Sequence, residues 1–170
     1  MMRFINHLIC FVGLIALQVF VLENVHFMGV FVPLIYIYAL LRLPADLSPN
    51  MTMILGFLLG FSMDLFSNTP GMHAFATTLI AVMRYPVLHL FVSKEELSNK
   101  NVSEKSLGVG VFWKYIFLLV FVHHTTLFIL ESFSFVNWLL LLAKIPICSL
   151  LTMLFIFAFE RINNKEDAKS

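Results

Sequence analysis

Charge is scarce in this chain. Only 12% of its 170 residues are Asp, Glu, Lys or Arg, and the 11 basic residues offset the 10 acidic ones to a formal net charge of +1. Nothing in that balance points to a nucleic-acid partner, and none is expected. Cysteine is scarcer still. Cys10 and Cys148 both lie in apolar runs without ligand-like spacing, so neither a disulfide nor a metal site is expected. Internal repeats, heptads and low-complexity tracts are missing too. So are the signatures of intramembrane proteolysis, a loop Gly-x-Ser with a histidine in another span or His-Glu-x-x-His, and the expectation is a protein that is not an enzyme and takes no cofactor.

What the chain has in excess is apolar surface. Sixty per cent hydrophobic residues, 19 Phe and a mean hydropathy of +0.92 exceed what one soluble core of this size can hide. The reading is a single all-α integral membrane domain over residues 1–170. Six apolar runs, 4–22, 27–41, 51–66, 72–92, 111–130 and 138–159, approach the roughly 20 residues that a bilayer core requires, the second and third being short. Pro44 and Pro49 punctuate the chain between those two. Residues 22–24 offer no small-x-small cleavage site, so the first run is read as a helix rather than a signal peptide.

Orientation follows from the basic residues. Arg3, Arg42, Lys94, Lys100, Lys105, Lys114, Arg161, Lys165 and Lys169 all fall at the N-terminus, the second loop, the fourth loop or the C-terminal tail. The positive-inside rule then places both termini in the cytoplasm. The fourth loop, 93–110, reads as a solvated cytoplasmic segment. Asn50-x-Thr52 and Asn101-x-Ser103 would also lie on that side, which makes them chance matches to glycosylation acceptors.

With six spans, several polar residues reach one depth in the outer half of the membrane. Gln18, Asp64, His73, His123, His124, Glu131 and Lys144 form that layer. An ionisable group in hydrocarbon requires a partner or a route to water, so two readings stand for Asp64 and Lys144: they pair with each other, or each reaches the outer headgroups alone. Adjacent helical residues point about 100° apart, so at most one of His123 and His124 is expected to face the interior, in a structural hydrogen bond. Two readings stand for Arg84, deeper in the fourth run: it reaches the cytoplasmic surface, which is favoured, or it holds carbonyls freed by Pro86.

Packing surfaces are also legible. Gly56, Gly60 and Asp64 recur every four residues on one helical face, while Ala74, Thr77, Thr78 and Ala81 make a small-residue stripe on the next helix. Together with Gly71 these residues predict a close hairpin and a surface for partner membrane proteins. In the sixth run Lys144, Cys148 and Thr152 repeat every four residues, with Pro146 between.

The stretch from Gly56 through Gly60, Asp64, Ser67, Pro70, Gly71, His73 and Ala74 to Arg84-Tyr85 resembles the signature hairpin of the MreD family of rod shape-determining proteins, in its Bacteroidetes-like form. The resemblance extends over nearly the whole chain, with about 30 residues specific. It implies a non-catalytic inner-membrane subunit of the cell-elongation machinery, with an MreC-like periplasmic protein, the actin-like MreB, and the elongation glycosyltransferase and transpeptidase as partners. The family is similar in turn to the substrate-binding subunits of energy-coupling-factor transporters, which makes a vitamin-binding transport subunit the alternative. Those subunits usually carry Ala-x₃-Ala in the first span, whereas here Ala16 is followed by Phe20, which favours assembly.

Overall fold

Helices form where the apolar runs are long and end where local chemistry stops them. The computed structural model describes residues 2–22, 31–93, 96, 102–132 and 138–166, with side chains from residue 11 of the first helix to residue 162 of the last. The elements are α1 (Met2–Phe20), α2 (Ile37–Leu41), α3 (Pro49–Ser67), α4 (Met72–Phe91), α5 (Glu104–Leu107), α6 (Val109–Glu131) and α7 (Trp138–Glu166). No strand occurs among the described residues. By length and apolarity α3, α4, α6 and the stretch Trp138–Ile162 of α7 can each cross a membrane, which makes this a multi-pass membrane architecture.

Start and stop signals account for the central hairpin. Ser48 accepts the Met51 N–H at 3.3 Å and Pro49 opens α3 with its φ already set. Asn68 closes the helix in the left-handed region at φ 53°, its N–H returning to the Asp64 carbonyl. Three residues later Gly71, at φ 80°, turns the chain into α4. A Cβ at Gly71 would meet nothing within 4 Å, so this glycine serves the turn and lies outside the contact between α3 and α4. Helix α4 then packs between α3 and α6, α6 packs on α7, and α1 lies against α3. Pro86 does not end α4, which continues to Phe91.

The second apolar run departs most from expectation. Of 27–41, residues 27–30 lie outside the described residues, 31–36 are not helical, and only the five residues of α2 are. From Leu34 to Leu41 every residue is buried, and the backbone runs through the middle of the bundle. Non-helical backbone at membrane depth is tolerated only inside protein or against water, because lipid offers no hydrogen bonds. Its neighbours here are protein.

A second departure concerns residues 93–110. Lys94, Lys100 and Asn101 lie outside the described residues, but Val102 is fully buried, Glu104 is 7% exposed, and α5 begins with a capping box between Ser103 and Ser106. This part of the connection is docked on the bundle instead of solvated.

Candidate functional site

Two kinds of polar residue organise the interior: those that terminate helices and those that hold the irregular segment. Asp64 belongs to the first kind. Its Oδ1 accepts the Thr69 hydroxyl at 2.6 Å and the His73 N–H at 3.0 Å, and its Oδ2 accepts the Ala74 N–H at 2.8 Å. Because Gly71 has no side chain to cap α4, a carboxylate from the preceding helix supplies the acceptors and the negative charge that a helix N-terminus favours. The proposed Asp64–Lys144 pair does not form. Lys144 donates instead to Glu131 at 3.0 Å and lies 4.5 Å above the Phe128 ring. Glu131 is half exposed, so that pair sits at the bundle surface while Asp64 is buried.

The irregular segment is held from several helices. Gln18 of α1 donates to the Pro33 carbonyl at 3.0 Å and accepts the Ile35 N–H at 2.9 Å, as a second strand would. Thr152 of α7 accepts the Leu34 N–H at 2.9 Å. Tyr115 of α6 donates to the Leu41 carbonyl at 3.0 Å, and Arg84 of α4 donates to the carbonyls of Leu43 and Pro44. Arg84 is therefore 2% exposed and turned inward, contrary to the expectation that it snorkels. The carbonyls that α2 cannot satisfy at its own C-terminal end attract the cation more strongly than headgroups a long reach away.

Both histidines of the doublet are interior, which corrects the expectation that at most one is. Each is fully buried, because α6 has neighbours on two sides and a 100° separation fits between α4 and α7. Tyr36 sits between His73 Nδ1 at 2.8 Å and His123 Nε2 at 2.9 Å. The phenol has one proton, so one imidazole accepts it and the other donates an N–H to the phenolic oxygen. His124 is more tightly defined. Its Nδ1 is 2.8 Å from the Val120 carbonyl, which can only accept, so Nδ1 carries a proton; Nε2, 3.1 Å from the Thr152 hydroxyl, then accepts from it. Thus one hydrogen-bonded line runs from the Leu34 N–H through Thr152 and His124 to α6.

At the far end of the bundle Glu160, fully buried, accepts from Tyr38 and from the Glu104 N–H, with Arg42 at 3.6 Å. Tyr36 and Tyr38 therefore anchor the same short segment to opposite ends of the bundle. Sequence reasoning missed both because two tyrosines inside a strongly apolar run do not lower its average enough to stand out. Their spacing, two residues apart beside Arg42, was the available signal.

Gly56 and Gly60 sit where α3 meets α4. A Cβ on Gly56 would lie 2.8 Å from the Ala81 Cβ and 3.0 Å from the Thr77 carbonyl oxygen, and one on Gly60 would lie 2.6 Å from the Ala74 Cα. Ala74 and Ala81 are buried in this contact, and Thr78, half-buried, returns its hydroxyl to the Ala74 carbonyl. The glycine groove is filled by the chain's own α4. Among the described residues no cluster of three or more His, Cys, Asp or Glu could hold a metal ion.

Tyr36→Phe tests the central link. Removing the hydroxyl leaves His73 Nδ1 and His123 Nε2 without their shared partner, and a buried polar group without a partner costs about 1–3 kcal/mol. The expected result is a clear fall in thermal unfolding temperature in detergent; an unchanged temperature would show that the phenol bridges nothing.

The chain matches no known protein family, no curated protein and no solved structure in the comparisons made with each.

Proposed function

We propose that this chain is a non-catalytic subunit of the bacterial cell-elongation machinery in the inner membrane, acting by binding other membrane proteins. Its partners on this reading are an MreC-like periplasmic protein, the actin-like MreB, and the elongation glycosyltransferase and transpeptidase. Support comes first from the resemblance of the 56–85 stretch to the MreD hairpin. The observation that carries it further is that the polar residues of that stretch are committed within the chain: both oxygens of Asp64, Nδ1 of His73 and the donors of Arg84 that hold the second loop. What faces outward is apolar. On α3 the exposed face bears Ile54, Phe57, Leu58, Phe61 and Leu65, with the Phe57 and Phe61 rings stacked 5.8 Å apart. We assign partner binding to this face and not to the glycine groove, which α4 occupies.

Six crossings with both termini in the cytoplasm belong to the same reading. The irregular segment approaches the His73 end of α4 through Tyr36 and the Arg84 end through Leu43, which supports counting it as an interrupted second crossing. That interruption also favours a second reading, a transport subunit binding a vitamin-like solute, since broken helices at membrane depth often line such sites.

Replacing both Phe57 and Phe61 by alanine separates the readings. The double variant is expected to keep wild-type abundance, lose co-purification with the MreC-like partner and give rounded cells. Retained partners and rod shape with impaired solute uptake would instead support transport.

A further inference from the structure

The end of the bundle near Glu160 carries an arrangement that neither the interior network nor the proposed partner face uses. Arg161 is exposed, and its guanidinium carbon lies 4.8 Å above the Phe157 ring. Phe157 packs in turn against Trp113 at 5.5 Å. Trp113 is itself fixed, its indole N–H donating to Glu104 Oε1 at 3.1 Å and its ring meeting Phe112 edge-on at 5.3 Å. A guanidinium held over a ring by its carbon keeps N–H groups available, and these suit two oxygens of one phosphate.

The local acids do not neutralise it. Glu160, its neighbour in sequence, is buried and engaged with Tyr38 and Arg42, and Glu104 is buried against Trp113. Among the described residues Arg161 makes no ion pair, and exposed Lys114 follows Trp113 on α6. Acidic groups thus face inward and basic groups outward at one corner. Toward the middle of the bundle the same faces turn apolar, since Phe117 and Phe121 follow Trp113 at i+4 and i+8, and Leu154 and Leu150 precede Phe157 at i−3 and i−7. All four are exposed, and the two phenylalanine rings stack 6.0 Å apart.

We propose that this corner is a binding site for an anionic glycerophospholipid. Arg161 holds the charged phosphate, Lys114 on α6 adds positive potential, and the acyl chains lie along Phe117, Phe121, Leu150 and Leu154. A zwitterionic lipid gains less, because its amine meets two cations here. Basic positions between membrane helices, at the level where headgroups begin, select lipids by this charge logic.

The test uses the full chain purified in a neutral detergent, titrated with phosphatidylglycerol or phosphatidylcholine and read by native mass spectrometry. The wild type is expected to retain phosphatidylglycerol about tenfold more strongly than phosphatidylcholine, the scale of one charge-assisted hydrogen bond. Arg161→Ala is expected to lose that preference while unfolding at the wild-type temperature, since the side chain is exposed. Phe157→Leu, which keeps the charge and removes the platform, should lose several-fold, and Lys144→Ala, near the opposite end of α7, should lose nothing. Equal retention of the two lipids by the wild type, or unchanged preference in Arg161→Ala, would overturn the proposal. So would displacement by glycerol phosphate at matched concentration, which would mark the site as one for a free phosphate.

Discussion

Replacing Gly60 with alanine is expected to abolish the folded protein, although it adds one methyl group. That methyl would lie 2.6 Å from the Ala74 Cα and closer still to the Thr77 hydroxyl and the His73 carbonyl oxygen, so relief requires α4 to move as a body. Overpacking costs about 1–3 kcal/mol when side chains can adjust. Here backbone must, so the loss is expected at or above the top of that range. Insertion should persist, because apolar bulk does not weaken hydropathy, while thermal unfolding in detergent and steady-state abundance both collapse. Gly56→Ala should be milder, its nearest contact being the Ala81 methyl. Gly13→Ala has no atom within 4 Å and should be neutral or stabilising by up to about 1 kcal/mol from helix propensity alone. Equal behaviour of the three variants would refute the close approach of α3 and α4.

Removing the Asp64 carboxylate is expected to have the other large effect. Asp64→Ala leaves the Thr69 hydroxyl and the N–H groups of His73 and Ala74 without their acceptor in a place water reaches poorly. Hydrogen bonds to a charged group contribute roughly 1.5–3 kcal/mol each and are not additive, so a loss of about 3 kcal/mol or more is expected. Asp64→Asn keeps one accepting oxygen and should lose about half as much. A double-mutant cycle with Thr69→Val should show coupling, since the two side chains share a bond, whereas a cycle with Lys144→Ala should be additive within about 0.5 kcal/mol. Strong coupling of Asp64 to Lys144, measured by chemical or thermal unfolding, would restore the ion pair that the geometry replaces.

Those two expectations mark where the sequence could be read and where it could not. The Gly56, Gly60 and Ala81 spacing named both faces of the α3–α4 contact, because small residues at i and i+4 have one reading wherever two helices meet closely. Asp64 was correctly singled out as needing a partner, but the partner was sought among opposite charges. Backbone N–H groups at a helix start carry no mark in the sequence, and a capping carboxylate from the previous helix leaves only the Asp-x₄-Thr-Pro-Gly spacing as a trace. Arg84 failed for a related reason. Its partners are the carbonyls of Leu43 and Pro44, which every residue possesses, and only the break in the second run could have drawn attention to them. Hydropathy averages cannot show such a break, since residues 31–36 are as apolar when irregular as they would be when helical.

That break also sets an order of assembly. The groups that accept or donate to the segment's backbone come largely from later in synthesis: Arg84 lies 41 residues downstream of Leu43, Tyr115 lies 74 downstream of Leu41, and Thr152 lies 118 downstream of Leu34. Until they arrive, the segment has bare amides that hydrocarbon cannot solvate. It is therefore unable to settle when it leaves the ribosome, and a chain truncated before α7 lacks the Thr152 hydroxyl on which Leu34 depends. The docking of Leu34 is therefore complete only once the last helix is in place, whereas the α3–α4 hairpin needs nothing from it.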